Sequence, residues 1–237
     1  MIKKYCYIII LLLAWAWTNS NEFVGEELQY SAGFRFFPAG QAVLSLSSDS
    51  LNGEVVYILT TLVKTNSFLD AFYVVRDKIQ SWLNPQNFSL QQSIQTIREG
   101  KYHRDHTIHI QGDSILVWNN ETLKLAGPVY DPIAFIYYLR SQNLSLGDSF
   151  NFFSAGNGIV KEVIVHITKV ENIEVSAGAF NCLRIEPVSS DGKPLLKNNG
   201  EMRVWLSNDN IKLPVKIELK TNIGTMVMKL KERKYSI

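Results

Sequence analysis

Three histidines, His103, His106 and His109, stand three residues apart in one polar stretch, and clustered imidazoles are common ligands of zinc. The stretch reads as a strand, on which alternate residues share a face: His103 and His109 then point one way and His106 the other. His103 and His109 are also separated by about 20 Å of extended chain. This arrangement predicts solvated or hydrogen-bonded histidines and no metal. Other chemistry is equally thin. Glu26 and Glu27 are adjacent, hence on opposite faces of a strand, a poor start for paired acid and base work. There is no Gly-x-Ser-x-Gly elbow and no His-Glu-x-x-His helix, and Gly156-Asn157-Gly158 is not followed by a helix that could cradle phosphate. No cofactor motif is evident, and the reading leans away from an enzyme. Cys182 stands between Asn181 and Leu183, with no adjacent His or basic residue to lower its pKa, which predicts a small buried residue and not a reactive thiol.

The aromatic residues offer more. Phe34 and Phe36 share a strand face, Phe135, Tyr137 and Tyr138 lie in one apolar segment, and Trp205 sits in a strand near the C-terminus. These six are the candidate lining of an apolar pocket, with ordinary core packing as the alternative. Asp77 and Asp209 border turns and are expected to accept hydrogen bonds from backbone amides there.

The segment holding three of these aromatics is the one clear helix, over about 131–142. Asp131 suits the N-cap and Pro132 the first helical position. Ile133 to Leu139 is apolar or aromatic all the way round, so the helix is enclosed and not amphipathic. A helix of about three turns is marginal alone and takes its stability from what packs around it. Everything around it reads as strand. Leu28, Tyr30, Ala32, Phe34 and Phe36 alternate with more polar neighbours, and the pattern breaks at Pro38-Ala39-Gly40 before a second strand. Val55 to Val63 is apolar on both faces, as expected of a strand buried on two sides. Ser67 to Phe72 reads as a short helical turn. Turn residues divide the rest into on the order of a dozen strands, and their short connections imply antiparallel pairing. Lys229, Lys231 and Arg233 alternate on the last strand, as cations guarding a sheet edge would. The expected fold is mainly β: a strongly curved antiparallel sheet or partly open β-barrel that encloses the one short helix.

Met1-Ile2-Lys3-Lys4, the apolar run Tyr5 to Trp17 and Thr18-Asn19-Ser20 have the order of a secretory signal peptide, over residues 1–20. The run is shorter than the roughly 20 apolar residues of a membrane span, so cleavage is expected, followed by one β-rich domain over residues 21–237. Cys6 precedes the apolar core, which excludes it as a lipid-attachment cysteine. Without the leader the chain carries 22 basic against 22 acidic residues, a balance that argues against nucleic acid as a partner.

Gly200-Glu201-Met202-Arg203-Val204-Trp205-Leu206-Ser207-Asn208-Asp209, then Pro214-Val215-Lys216-Ile217-Glu218 and Gly224-Thr225, resemble the end of a bacterial exported family known as domain of unknown function 3108. Val75-Arg76-Asp77, Glu99-Gly100-Lys101-Tyr102, Asp131-Pro132 with its aromatic helix, and Gly178-Ala179-Phe180-Asn181-Cys182 with Ile185-Glu186-Pro187 resemble it in order and spacing. Asn84 departs from the pattern, which has an acidic residue there. The resemblance covers the mature chain and implies a mainly β protein of the bacterial periplasm or cell envelope, with no catalytic residues to carry over. In plan, a curved sheet embracing a helix is also similar to periplasmic lipoprotein carriers, an analogy of fold. The functional expectation is a non-catalytic protein holding an apolar or amphiphilic, lipid-like ligand between sheet and helix. The alternative is a structural or protein-interaction component of the envelope with a filled core; a hydrolase without a recognisable motif is a distant third.

Overall fold

A computed structural model describes residues 22–34, 37–112, 114–118, 121–156, 159–191, 200–221 and 224–235. The leader expected over residues 1–20, Cys6 within it, and Phe36 lie outside the described residues. Among the described residues fifteen strands form one sheet: β1 (Glu26–Phe34), β2 (Phe37–Leu51), β3 (Glu54–Thr65), β4 (Arg76–Leu83), β5 (Leu90–Glu99), β6 (Tyr102–Gln111), β7 (Ile115–Trp118), β8 (Glu121–Lys124), β9 (Val129–Tyr130), β10 (Ser149–Gly156), β11 (Ile159–Val175), β12 (Gly178–Ser189), β13 (Glu201–Ser207), β14 (Pro214–Thr221) and β15 (Gly224–Tyr235). Two helices interrupt them, α1 (Ser67–Asp70) and α2 (Pro132–Arg140).

The strands follow one another as a meander in two runs, joined where β1 pairs with β15. The sheet is open, with β8 at one edge and β9 at the other. Every pair is antiparallel except β9 with β10, and the exception has a cause: α2 lies between them in the chain, and a helical crossover is what allows consecutive strands to run parallel. The expected curved, partly open antiparallel barrel around one helix is therefore the observed fold, with fifteen strands where about a dozen were expected. The short edge strands β8 and β9 supply part of the difference.

Two local expectations do not hold. β15 is an interior strand between β1 and β14, so Lys229, Lys231 and Arg233 guard no edge; charge alternation alone does not distinguish an edge strand from a central one whose outer face is wet. The Val55–Val63 segment is central, as expected, but its two faces are not equally buried: Tyr57, Leu59 and Thr61 are buried on one, whereas on the other Val56 is buried, Ile58 and Thr60 are half-buried and Leu62 is exposed. Antiparallel sheets often leave one face to water, and β-branched residues favour strands even on that face.

The strand directions define two ends. The upper end carries the β1–β2, β3–β4 and β5–β6 connections, and the lower end the β2–β3 and β4–β5 connections. A Cβ on Gly40 would lie 2.0 Å from the Lys64 carbonyl oxygen, so the approach of β2 to β3 at the upper end requires glycine. Helix α2 starts near the upper end, just after Tyr130 pairs with Ser154, and runs to the lower end. Asp131 caps it as its type and position predict, its Oδ1 accepting from Ile133 N (2.8 Å) and Ala134 N (3.2 Å). The helix ends at Arg140, two residues before the expected limit.

Candidate functional site

Helix α2 divides the interior in two. Ala134 and Tyr137 pack with Leu46, Leu59, Leu83, Phe88 and Ile108 in the half built from β2 to β7. Phe135, Ile136 and Leu139 pack with Phe152, Val165, Ile185, Val204 and Ile217 in the half built from β10 to β14. Ile133 and Tyr138 touch both halves. A helix apolar on every side is thus explained by having sheet on both flanks.

At the lower end the helix is tied by charge. Arg140 donates from Nη1 to Glu26 Oε2 (2.6 Å) and from Nη2 to Glu26 Oε1 (2.8 Å), and both side chains are fully buried. Arg233 adds a third bond, Nε to Glu26 Oε1 at 2.7 Å. The Arg140 guanidinium lies over the rings of Phe23, at 4.1 Å, and Tyr137, at 4.9 Å. Burial raises the pKa values of Tyr30 and Tyr137 beside it, and the Tyr30 hydroxyl donates to the Pro214 carbonyl at 2.8 Å. Among the described residues the Tyr137 hydroxyl has no hydrogen-bond partner of normal geometry, although it lies within electrostatic reach of Glu26 and Arg140. A bidentate pair with a second arginine compensates the desolvation of the carboxylate. Its chemistry is that of an anchor.

At the upper end the same helix borders an apolar cleft. Phe135, Ile136 and Leu139 face Phe152, Val165, Ile185, Met202 and Val204 across it. Exposed Pro132 and half-buried Ser154 and Pro187 mark its mouth. Phe135 lies flat on Phe152, ring centroids 3.5 Å apart. The free volume is about 30 Å³, the share of a single water molecule. Ligand pockets measure roughly 300–1,000 Å³, so an acyl chain enters only if helix and sheet part along this flank.

Of the six aromatics expected to line a pocket, the structure places Phe135 in the cleft. Tyr138 is half-buried beside it, with its ring 5.5 Å from that of Phe135 and 5.4 Å from that of Tyr130. Tyr137 is turned to the opposite side of the helix, toward Phe23 and Phe88. Trp205 lies on the other face of β13 from Val204, with Nε1 donating to Glu171 at 2.7 Å and Lys216 over its ring at 4.1 Å. Phe34 is 42% exposed and lines a separate hollow of about 210 Å³ with Phe37, Pro38 and Lys229. Phe36 lies outside the described residues.

The histidines separate as strand alternation predicts: His106 is buried, whereas His103 is exposed and hydrogen-bonds Gly100 O at 3.2 Å. Among the described residues no three His, Cys, Asp or Glu side chains stand close enough to hold a metal ion. His106 belongs instead to a group of buried polar residues on β3 to β6, in one cross-strand row with Thr61 and Gln95 and beside the next row, which holds Ser81 and Ser93. Its ring stacks on Trp118, and neither His106 Nδ1 nor Trp118 Nε1 has a hydrogen-bond partner among the described residues. Cys182 is buried, and burial pushes its thiol pKa up to about 12, the inert small residue its sequence context predicts. Asp77 and Asp209 accept from the backbone amides of Arg98 (2.8 Å), Ile211 and Lys212 (2.9 Å each).

The charged anchor was not foreseen from sequence, yet a signal for it was present. Glu26 shares its strand face with Leu28 and Tyr30, and Arg140 follows Ile136 and Tyr137 on an otherwise apolar helix. A charge at an interior position of each element called for a partner of opposite sign.

Sheet and helix together define a class: an open β-barrel whose concave face holds one apolar helix. A crystal structure described as a β-barrel-like protein of domain of unknown function 1849 from Brucella abortus shares this fold, with a TM-score of 0.63 at 12% identity over 91% of this chain and 99% of that one. A protein of YmcC-like fold from Bacteroides fragilis aligns over 89% of this chain and 96% of its own at 14% identity, but its TM-score of 0.32 is too low to bear on the fold. The chain belongs to the family described as protein of unknown function (DUF3108), whose profile matches residues 29–231. No protein of curated function matches it.

Proposed function

We propose that the protein is an exported, non-catalytic component of the bacterial cell envelope that takes the apolar part of an amphiphilic ligand between helix α2 and the β10–β14 half of the sheet. The observation that carries this reading is the cleft: Phe135, Ile136 and Leu139 meet five apolar side chains across a flank whose mouth reaches the surface. The lower anchor fixes one end of the helix, so parting of the upper flank is the movement that admits a chain. Export rests on the signal-like order of residues 1–20.

A second reading has an observation in its favour. With about 30 Å³ free, the cleft is close to filled, as in a structural or protein-interaction component of the envelope. Saturable fluorescence enhancement of cis-parinaric acid by the mature protein, lost in a folded Val204→Phe variant, supports ligand uptake. No enhancement by the wild type, or equal enhancement by both, overturns it in favour of the filled core. Native mass spectrometry of protein from its own envelope, followed by organic extraction, then identifies any lipid carried.

A further inference from the structure

Seven aromatic side chains are exposed among the described residues, and six of them, Phe34, Phe37, Phe68, Phe72, Tyr73 and Tyr102, lie at the upper end; Tyr235 lies at the lower. They project from three neighbouring connections. Phe34 and Phe37 flank the β1–β2 turn, Phe68, Phe72 and Tyr73 sit on and after α1 between β3 and β4, and Tyr102 begins β6. Phe72 is the most exposed, at 77%, followed by Phe37 at 65% and Phe68 at 61%. Leaving so much aromatic surface in water is costly unless something covers it.

The loop that presents them is buttressed. Asn66 caps α1, accepting from Leu69 N at 2.9 Å, and its Nδ2 donates to Pro38 O at 2.9 Å, tying the α1 connection to the β1–β2 hairpin. Arg76 grips both Asp70 oxygens, at 3.1 and 2.6 Å, and Thr65 donates to the same carboxylate. Gly100 (φ +56°) fits beneath Tyr73, where a Cβ would stand 2.5 Å from the ring. A connection held in this way loses little backbone freedom on contact, which favours binding.

Charge selects the partner. Lys64, Lys101 and Arg104 are exposed at this end and form no ion pair with another described residue, whereas Asp70 is taken by Arg76 and Asp105 by Arg98. Two further acids stand beside these three connections: Asp77 accepts from Arg98 N, and the neighbouring Glu99 is held above the usual carboxylate range by burial and by Asp77. Glu162 and Glu201 lie at the same end but in the β10–β14 half of the sheet, Glu201 paired with Arg203 and Lys220. The end is apolar at its tips with unmatched cations behind them. The tips stand on separate loops, whereas a stable protein partner requires a continuous complementary surface of about 800 Å². A fluid bilayer interface accepts side chains singly, and its headgroup region is where aromatic residues concentrate.

We propose that the upper end is a membrane-docking surface: Phe37, Phe68 and Phe72 enter the interfacial region of an anionic phospholipid bilayer while Lys64, Lys101 and Arg104 meet its phosphates. This goes beyond the ligand reading and stands without it. Where both hold, the cleft mouth at Pro132, Ser154 and Pro187 faces the bilayer, which is then the source or destination of the ligand.

Co-sedimentation of the mature protein with vesicles tests it. Binding to phosphatidylglycerol-containing vesicles is expected, weaker at high salt and weaker to pure phosphatidylcholine. The double variant Phe68→Ser/Phe72→Ser, at exposed positions where folding is undisturbed by circular dichroism, loses at least about tenfold in partitioning. Lys64→Glu/Lys101→Glu loses the preference for anionic vesicles. Wild-type protein that stays in the supernatant, or a serine double variant that binds like wild type, overturns the proposal. So does a concentration-dependent dimer, seen by sedimentation velocity without vesicles and abolished in the serine variant, because a second copy then covers the patch. The parinaric acid assay reads the cleft independently, so failure of docking and failure of ligand uptake are told apart.

Discussion

Helix α2 is held at its two ends by opposite means, a desolvated salt bridge below and an apolar cleft with a little free space above, and the contrast says which end can move. Arg140, Glu26 and Arg233 allow no graded loosening: once separated, the buried charges are left without partners. Across the cleft nothing is directional. Rings and methyl groups slide past one another at small cost, so Phe135 and Ile136 can part from Val204 and Ile185 without orphaning a polar atom. A charged anchor at one end and purely apolar side-chain contact at the other is the arrangement that the proposed uptake requires, and the cleft mouth lies at the end carrying the exposed aromatics.

The contrast can be broken most directly at the anchor. Glu26→Ala leaves the fully buried Arg140 unpaired and is expected to cost about 3–5 kcal/mol of folding stability, read by urea denaturation. Replacing both partners, as Glu26→Leu with Arg140→Met, should restore most of that loss. If the single and double variants are equally unstable, packing of the side chains holds this end and not charge.

A pair of small enlargements compares the flanks. Ala134→Val thrusts two methyl groups into the filled β2–β7 side, where Ala134 is fully buried, and should cost about 1–3 kcal/mol. Val204→Ile adds one methylene to the cleft and should be neutral or stabilising by up to about 0.8 kcal/mol. Equal penalties in thermal melts would mean that both sides are packed alike.

The smallest effect concerns the N-cap. Burial raises the pKa of Asp131 in the folded state, against the opposing pull of its bonds from Ile133 and Ala134. The folded protein then holds this proton more tightly than the unfolded chain does, so the associated stability is full below the unfolded pKa of about 3.9 and falls as pH rises through the higher folded value. Asp131→Asn keeps a capping oxygen without a buried charge. It should leave stability at neutral pH unchanged or slightly higher and remove that part of the pH dependence, measured by denaturation across the acid range. A loss of stability at neutral pH would show that the ionised carboxylate is the better cap.

The sequence by itself determined the strand pattern, the capped start of the helix and its enclosure, because these rest on local rules: period-two alternation, turn residues, and an N-cap followed by proline. It also placed His106 on the opposite strand face from His103 and His109, since alternation alone turns it away from them. Tertiary structure decided the rest. Which half of the sheet each helix face meets depends on curvature summed over fifteen strands, so Phe135 and Tyr137, two residues apart, lie on opposite sides of the core. Alternation parts Trp205 from Val204, but which of the two faces of β13 meets the helix is likewise a tertiary matter, and it falls to Val204. Glu26 and Arg140 stand 114 residues apart and meet only because β1 lies beneath the last turn of α2. The gathering of Phe37, Phe68 and Tyr102 at one end likewise follows from the direction in which each hairpin runs, and no local pattern in the chain records it.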